Sequence, residues 1–202
     1  MSHYFKYDDS IKSKVNTFEI NFKNNEFMFK TDSGVFSKNY LDYGSNVLLK
    51  NTNIKQDENT ILDLGCGYGP IGTILGKIYP NKFIYMSEIN DRAIELALEN
   101  LKINEVSNAK VIKSDIFSNI SKTFDLILTN PPIRAGKDVV FKFYEESYKH
   151  LNDGGRLLVV IQRKQGAPSS LKKLEELFNN VNIVAKDKGY WIIEGIKHKT
   201  ID

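Results

Sequence analysis

Residues 60–78 constrain this chain more tightly than any other segment. Thr60-Ile61-Leu62-Asp63-Leu64 is a short apolar run, Gly65-Cys66-Gly67-Tyr68-Gly69 follows it, and Pro70 then opens a stretch in which Ile71, Ile74, Leu75 and Ile78 recur at i, i+3, i+4 and i+7. The run reads as a buried strand, the glycines as a tight turn, and the spacing as a helix with one core-facing stripe. Proline suits the first helical position, where its missing N–H would have no helical partner and its fixed φ is already helical.

Further along, strands and helices continue to alternate. Phe83-Ile84-Tyr85-Met86 is a second apolar strand, and Asn90 caps a helix through Leu101 with Ile94, Ala97, Leu98 and Leu101 as its buried stripe. Ala109–Lys113 and Phe124–Leu128 read as the next two strands. Val140, Tyr144, Ser147, Tyr148 and Leu151 line one face of a helix that Asn152-Asp153-Gly154-Gly155 ends, and Arg156–Ile161 is a buried fifth strand. A helix over Ser169–Phe178 follows, then strands Asn182–Lys186 and Tyr190–Ile196 joined as a hairpin through Asp187-Lys188-Gly189. Alternating β and α units imply a parallel sheet with helices on both faces. Residues 1–55 read differently. Thr17–Phe22 and Glu26–Lys30 both alternate polar and apolar residues around an Asn24-Asn25 turn, which predicts a β-hairpin. No Pro, Gly or Ser linker follows. The expected organisation is an extension over 1–55 packed on a catalytic domain over 56–202.

Gly67, Gly69 and Gly72 formally match G-x-G-x-x-G, so a dinucleotide has to be considered. Asp63 argues against it, because a carboxylate beside the turn would repel a pyrophosphate. The same carboxylate favours a cofactor that carries an ammonium and a sulfonium and no phosphate, as S-adenosylmethionine (SAM) does. Gly65, Cys66, Gly67 and Gly69 would form its cradle. Glu88, with Ile89 after it, lies 23 residues beyond Gly65, near the spacing of the ribose-binding acid of a strand–helix–strand unit. Asp115 at the next strand end would take the adenine amino group while Ile116 packs on the ring. Three acids at three successive strand ends favour the cofactor reading over solvated strand ends.

The fourth strand ends in Thr129-Asn130-Pro131-Pro132-Ile133-Arg134-Ala135-Gly136-Lys137. Each proline fixes φ and removes a donor, and Pro132 drives its predecessor out of the helical region. The result is a rigid acceptor surface made of the Asn130 carboxamide oxygen and the Pro131 carbonyl. Such a surface suits a planar –NH2 group that must be held and turned into a nucleophile.

Together, Asp63–Gly69, Glu88, Asp115 and Asn130-Pro131-Pro132-Ile133 resemble a class I SAM-dependent methyltransferase. Gly34-Val35-Phe36-Ser37, Leu41-Asp42-Tyr43-Gly44-Ser45 and Arg134-Ala135-Gly136-Lys137 narrow the resemblance to the small-subunit ribosomal RNA guanine-N2 methyltransferases, in a short bacterial form with one catalytic domain. The resemblance covers roughly residues 1–200. It implies a Rossmann-like seven-stranded α/β sheet, mostly parallel, with the closing hairpin supplying one antiparallel strand. It also implies Asn130, Pro131, Pro132 and Ile133 as the catalytic block, Asn130 touching the cofactor as well. Glu88 stands where Asp is more frequent, and Ile133 where many amino methyltransferases place an aromatic. Phe36, Arg134 and Lys137 are candidate substrate contacts, and Tyr43 a candidate for shaping the pocket. The substrate this implies is ribosomal RNA or the small ribosomal subunit. A protein glutamine-N5 or adenine-N6 methyltransferase, and a non-catalytic SAM-fold module that only binds RNA, are the alternatives.

Composition bounds the rest. At 202 residues with 28 basic against 25 acidic side chains, the net charge of +3 neither demands nor opposes a nucleic-acid partner. The single cysteine, Cys66, excludes an internal disulfide and fits a reducing cytosol. Three scattered histidines give no metal-ligand spacing, so no metal is expected. No run approaches membrane-spanning length, and the expectation is a cytoplasmic monomer.

Overall fold

The computed structural model describes residues 14–32 and 40–198. Strands β3 (Thr60–Leu64), β4 (Phe83–Glu88), β5 (Ala109–Lys113), β6 (Phe124–Thr129), β7 (Leu151–Gln162), β8 (Asn180–Asp187) and β9 (Tyr190–Ile196) form one seven-stranded sheet in the order β5-β4-β3-β6-β7-β9-β8. Parallel pairing runs from β5 to β7, and β9 inserts antiparallel between β7 and β8. Alternate residues of each central strand feed opposite cores. Ile61, Leu126, Leu128, Leu158 and Val160 face one side, with α1 (Tyr43–Asn51), α2 (Pro70–Ile78) and α3 (Asp91–Ile103). Leu62, Ile127, Leu157, Val159 and Ile161 face the other, with α4 (Lys137–Lys149) and α5 (Ala167–Leu177). Strands buried on both faces need apolar residues at every position, which is why these segments read as runs rather than alternations.

From β3 the chain crosses one way to β4 and later the other way to β6. The carboxyl ends of those strands therefore splay around a crevice where the strand order reverses, the place where open α/β sheets bind ligands.

The N-terminal hairpin pairs β1 (Val15–Phe22) with β2 (Asn25–Asp32). Its turn residues are Lys23 and Asn24, both with positive φ (47° and 60°), one position earlier than expected. That backbone is the two-residue hairpin turn whose twist matches the strands. Two α3 amides hold β2 as another strand would. Asn104 accepts from Met28 N–H and donates to Met28 O, and Asn100 accepts from Lys30 N–H and donates to Lys30 O. The buried face of α3 is therefore rotated from the expected stripe: Asn100 is buried and Leu98 is half exposed.

Two further expectations are corrected. The helix after the Asn-Pro-Pro segment ends at Lys149 with Phe143 on its buried face, and Leu151 opens β7 instead of closing the helix. Asn152-Asp153-Gly154-Gly155 is a bulge inside β7, whose register against β6 jumps from Leu151 to Arg156. Gly155 is required there, since a Cβ would lie 2.8 Å from Asn152 O and 3.0 Å from Phe124 O. Helix α1 was not anticipated. Gly34-Val35-Phe36-Ser37, with its candidate substrate contact Phe36, lies outside the described residues.

Candidate functional site

A cavity of about 510 Å³ opens at the carboxyl ends of β3, β4, β5 and β6. Its floor is the glycine turn. Gly65 and Cys66 N–H both donate to Ser87 O (3.0 and 2.9 Å), which ties the start of the turn to the end of β4. Gly65, Gly67 and Gly69 all have positive φ (74°, 58° and 84°). Gly69 and Gly72 serve packing, because a Cβ on either would lie 2.5 Å from the Met86 side chain. Gly67 differs. It lines the cavity and nothing stands within 4 Å of where its Cβ would be, so the backbone is bared to the open side.

Asp63 lines this cavity although it is 1 % exposed. One carboxylate oxygen accepts from Gly72 N–H (2.9 Å), capping α2 in place of Gly69, which has no side chain to do so. Burial raises its pKa from 3.8 to about 7; the Gly72 hydrogen bond opposes this and the nearby Glu88 charge adds to it. Glu88 accepts from Gly67 N–H (2.9 Å) with one oxygen and from Ile89 and Asn90 N–H (2.8 and 3.0 Å) with the other. Its length relative to Asp lets one side chain brace both the glycine turn and the start of α3. The Cys66 thiol is pushed well up by burial and by Asp63 and Glu88, so it is a neutral packing group.

Asp115 and Ile116 line the third side. Ile116 holds φ +55°, a conformation that a β-branched residue rarely adopts, and is nevertheless buried. Strain of this kind persists where surrounding structure over-determines it, commonly at ligand sites.

Opposite stand Asn130, Pro131, Pro132, Ile133 and Arg134. Asn130 Nδ2 donates to Asp42 Oδ2 (2.8 Å) and Ser45 Oγ (3.1 Å). Its Oδ1 and the Pro131 carbonyl accept no hydrogen bond among the described residues. The Pro132 carbonyl is used internally, accepting from Ala135 N–H (2.9 Å) in the 3-10 turn Ile133–Ala135. Ile133 and Arg134 thus reach the cavity, whereas Lys137 is not among its lining residues: its ammonium lies 5.0 Å from the centre of the Phe141 ring. Tyr43 is outside the lining as well. It packs against Tyr190 (ring centres 5.6 Å apart), and Tyr190 is the aromatic that reaches the cavity from β9.

Sequence reasoning missed Asp42, Ser45, Gln165 and Tyr190 as cavity residues. Asp42 and Ser45 belong to Leu41–Ser45, a segment whose resemblance to the family points to no role for either side chain. Gln165 arrives from the 3-10 turn after β7 and Tyr190 from the start of β9, positions that depend on the far half of the sheet, and no local signal marks them.

The charge pattern is one-sided. Among the described residues, Asp42, Asp63, Glu88 and Asp115 line the cavity against a single basic residue, Arg134. Bare backbone at Gly67, carboxylates around it and no basic residue at the glycine turn fit a cationic, phosphate-free nucleoside. Among the described residues, no group of three His, Cys, Asp or Glu could hold a metal ion, and no helix is long and apolar enough to cross a membrane.

The model of the methyltransferase small domain family matches residues 26–194. The chain belongs to this family. It is a class I methyltransferase, and SAM is its methyl donor. Within the family it is 48% identical over 197 residues to the uncharacterized protein YbxB of Bacillus subtilis, spanning 96% of this chain and 98% of that one. It is 37% identical over 157 residues to the ribosomal RNA small subunit methyltransferase C of Haemophilus influenzae (strain PittGG), covering 76% of this chain but 46% of that protein. The chain spans about half the length of the ribosomal RNA methyltransferases it matches. In fold it is similar to the T. thermophilus 16S rRNA N2 G1207 methyltransferase solved with AdoMet and guanosine, at a TM-score of 0.80 and 24% identity over 91% of this chain and 51% of that one.

Proposed function

We propose that this methyltransferase transfers the methyl group of SAM to the exocyclic N2 amine of a guanine in small-subunit ribosomal RNA, in the cytoplasm. One observation carries the reading. At the cavity edge opposite the acidic rim, Asn130 Oδ1 and Pro131 O are neighbouring acceptors that take no hydrogen bond from the described residues. An exocyclic amine brings two N–H donors, one for each.

Bound SAM supplies an electrophilic methyl on a positively charged sulfur. In this reading Asp63, Glu88 and Asp115 hold its ammonium, ribose and adenine groups, while Cys66, Ile89 and Ile116 complete the walls. The guanine amine is a poor nucleophile because its lone pair is delocalised into the ring. Accepting both its N–H bonds at Asn130 Oδ1 and Pro131 O favours a pyramidal nitrogen with its lone pair aimed at the methyl. The donor would supply the methyl carbon: a nitrogen–carbon bond would form at the expense of its carbon–sulfur bond, whose electron pair would leave with a neutral thioether. The alkylated nitrogen is then acidic and releases its proton to water. This is catalysis by positioning and electrostatics. A base inside a duplex could not present its amine to this cavity, so the target is unpaired or flipped out. Arg134 at the cavity edge is placed to meet a phosphate.

The names of the curated relatives support RNA as the substrate class. Incubating the protein with labelled SAM and either ribosomal RNA, small subunits or a release factor, followed by nucleoside and peptide mass analysis, tests the reading. N2-methylguanine in the small-subunit RNA is the expected product. Label in a glutamine side chain or in adenine would replace the reading.

A further inference from the structure

Asn130 works as an acceptor only if its carboxamide is turned the right way, and a carboxamide has two orientations of nearly identical shape. With –NH2 facing the incoming amine, two donors would oppose each other and the substrate would lose the contact. Something must break the symmetry. We infer that Asp42 does so, as a positioning residue that locks the Asn130 amide with its oxygen toward the substrate.

The assignment follows from donor and acceptor chemistry. Asp42 Oδ2 lies 2.8 Å from Asn130 Nδ2, and an ionised carboxylate can only accept. The Asn130 –NH2 must therefore face Asp42, which sends Oδ1 the other way. Ser45 Oγ alone could not choose. It accepts from Asn130 Nδ2 (3.1 Å) while its own hydrogen points to Asp42 Oδ2 (3.4 Å), but a free hydroxyl would donate to an amide oxygen as readily as it accepts from an –NH2. Asp42 thus orients both partners.

The carboxylate is itself fixed. Asp42 is the N-cap of α1, with Oδ2 accepting from Ser45 N–H (3.0 Å). The next residue, Tyr43, donates its hydroxyl to Asp187 Oδ2 (2.8 Å) and fastens the helix start to the β8–β9 turn. Gly44 permits the approach: a Cβ there would lie 3.0 Å from Asp42 Oδ2, 3.1 Å from Tyr190 Cε1 and 3.4 Å from Asn130 Nδ2. The start of α1 is in effect a bracket for one amide on β6.

This role rests on the proposed amine transfer, so the test has an arm that does not. Asp42→Ser keeps an N-cap side chain but is too short to reach Asn130, whereas Asp42→Asn can place an amide oxygen where Oδ2 stands. In 15N-labelled protein, the Asn130 side-chain amide, assigned by its loss in Asn130→Ala, is expected to be shifted and protected from exchange in wild type. It should collapse to solvent-like behaviour in Asp42→Ser and be largely restored in Asp42→Asn. An Asn130 amide unchanged in Asp42→Ser overturns the lock, whatever the substrate proves to be. In transfer assays, Asp42→Ser should lower kcat about 10- to 100-fold, a larger loss than any in SAM affinity, and Asp42→Asn should recover most of it. Combined with Asn130→Ala, Asp42→Ser should cost less than about twofold more, because its effect runs through that residue. Equal losses in both backgrounds would overturn the role. Wild-type protein that methylates no RNA would sink the substrate reading and leave the amide resonance to decide the lock.

Discussion

In the proposed reaction Asn130 has two jobs on one planar group: its –NH2 side donates to Asp42 and Ser45, and its oxygen side is kept for the amine. Truncation separates them from cofactor binding. Asn130→Ala is expected to retain SAM binding, with any loss far smaller than the factor of about 10²–10³ it loses in transfer rate, by analogy with deleting an oxyanion-hole donor; isothermal titration and single-turnover labelling check both halves. Asp63 offers a pH test. Its folded pKa of about 7 lies above the ordinary 3.8, so the stability it contributes to the unliganded protein is full below about pH 4 and lost as pH rises through 7. A cationic donor favours the ionised form, so SAM binding should expel up to one proton near pH 6 and tighten as pH rises from 5.5 to 8. Calorimetry in buffers of different ionisation enthalpy reads this directly, and Asp63→Asn should flatten it. Equal affinity at both ends of the range would remove Asp63 from the cofactor's surroundings.

Among the elements, those built on a strong period were legible and those built on a partner were not. Helix α2 follows from Pro70 and the Ile71/Ile74/Leu75 stripe, and the β8–β9 hairpin from Lys188-Gly189, whose positive φ values (43° and 84°) make the two-residue turn. Helix α1 escaped because Asp42-Tyr43-Gly44-Ser45-Asn46 is turn-like in composition, and Val47, Leu48 and Leu49 are buried consecutively with no 3.6-residue spacing. Its helicity comes from the Asp42 cap and from packing, which composition cannot reveal. The α3 stripe was misplaced for a related reason. Asn100 is polar but buried, because it stands in for a strand against β2. Asn100→Leu should accordingly destabilise the fold by about 2–3 kcal/mol, since it takes the hydrogen-bond partner from the part-buried Lys30 N–H and C=O and from the buried Tyr68 carbonyl. Urea titration would show this, with faster amide exchange along β2 as a second sign. Unchanged exchange there would mean that the helix amides do not hold the hairpin.

Across the whole molecule, the cavity end and the opposite end of the sheet are held by different forces. At the far end Arg156 is buried and donates to Glu58, Glu194 and Asn53 O, joining β7, β9 and the segment before β3. Removing one member of a buried ionic cluster leaves the others uncompensated, typically at about 3–5 kcal/mol. Arg156→Met should therefore lower the unfolding midpoint strongly while SAM affinity in the folded protein stays unchanged, as thermal denaturation with and without SAM would report. A matching loss of affinity would mean that the two ends are coupled. The parallel sheet followed from strands alternating with helices, and the acids at three successive strand ends could be placed from that alone, whereas the strand order and the switch point at β3 came only with the structure. The wall contributed by Gln165 and Tyr190 could not, because it depends on β7 running past the cavity and β9 folding back beside it.

The two hydrogens of a single Asn100 amide group go to Lys30 O and to Tyr68 O (2.9 and 2.8 Å), one in the amino-terminal hairpin and one in the glycine turn. Hairpin and donor loop are thereby buttoned to the same stud. Trimming the hairpin away would empty one side of that stud and leave the Asn100 amide holding the glycine turn by a single hydrogen.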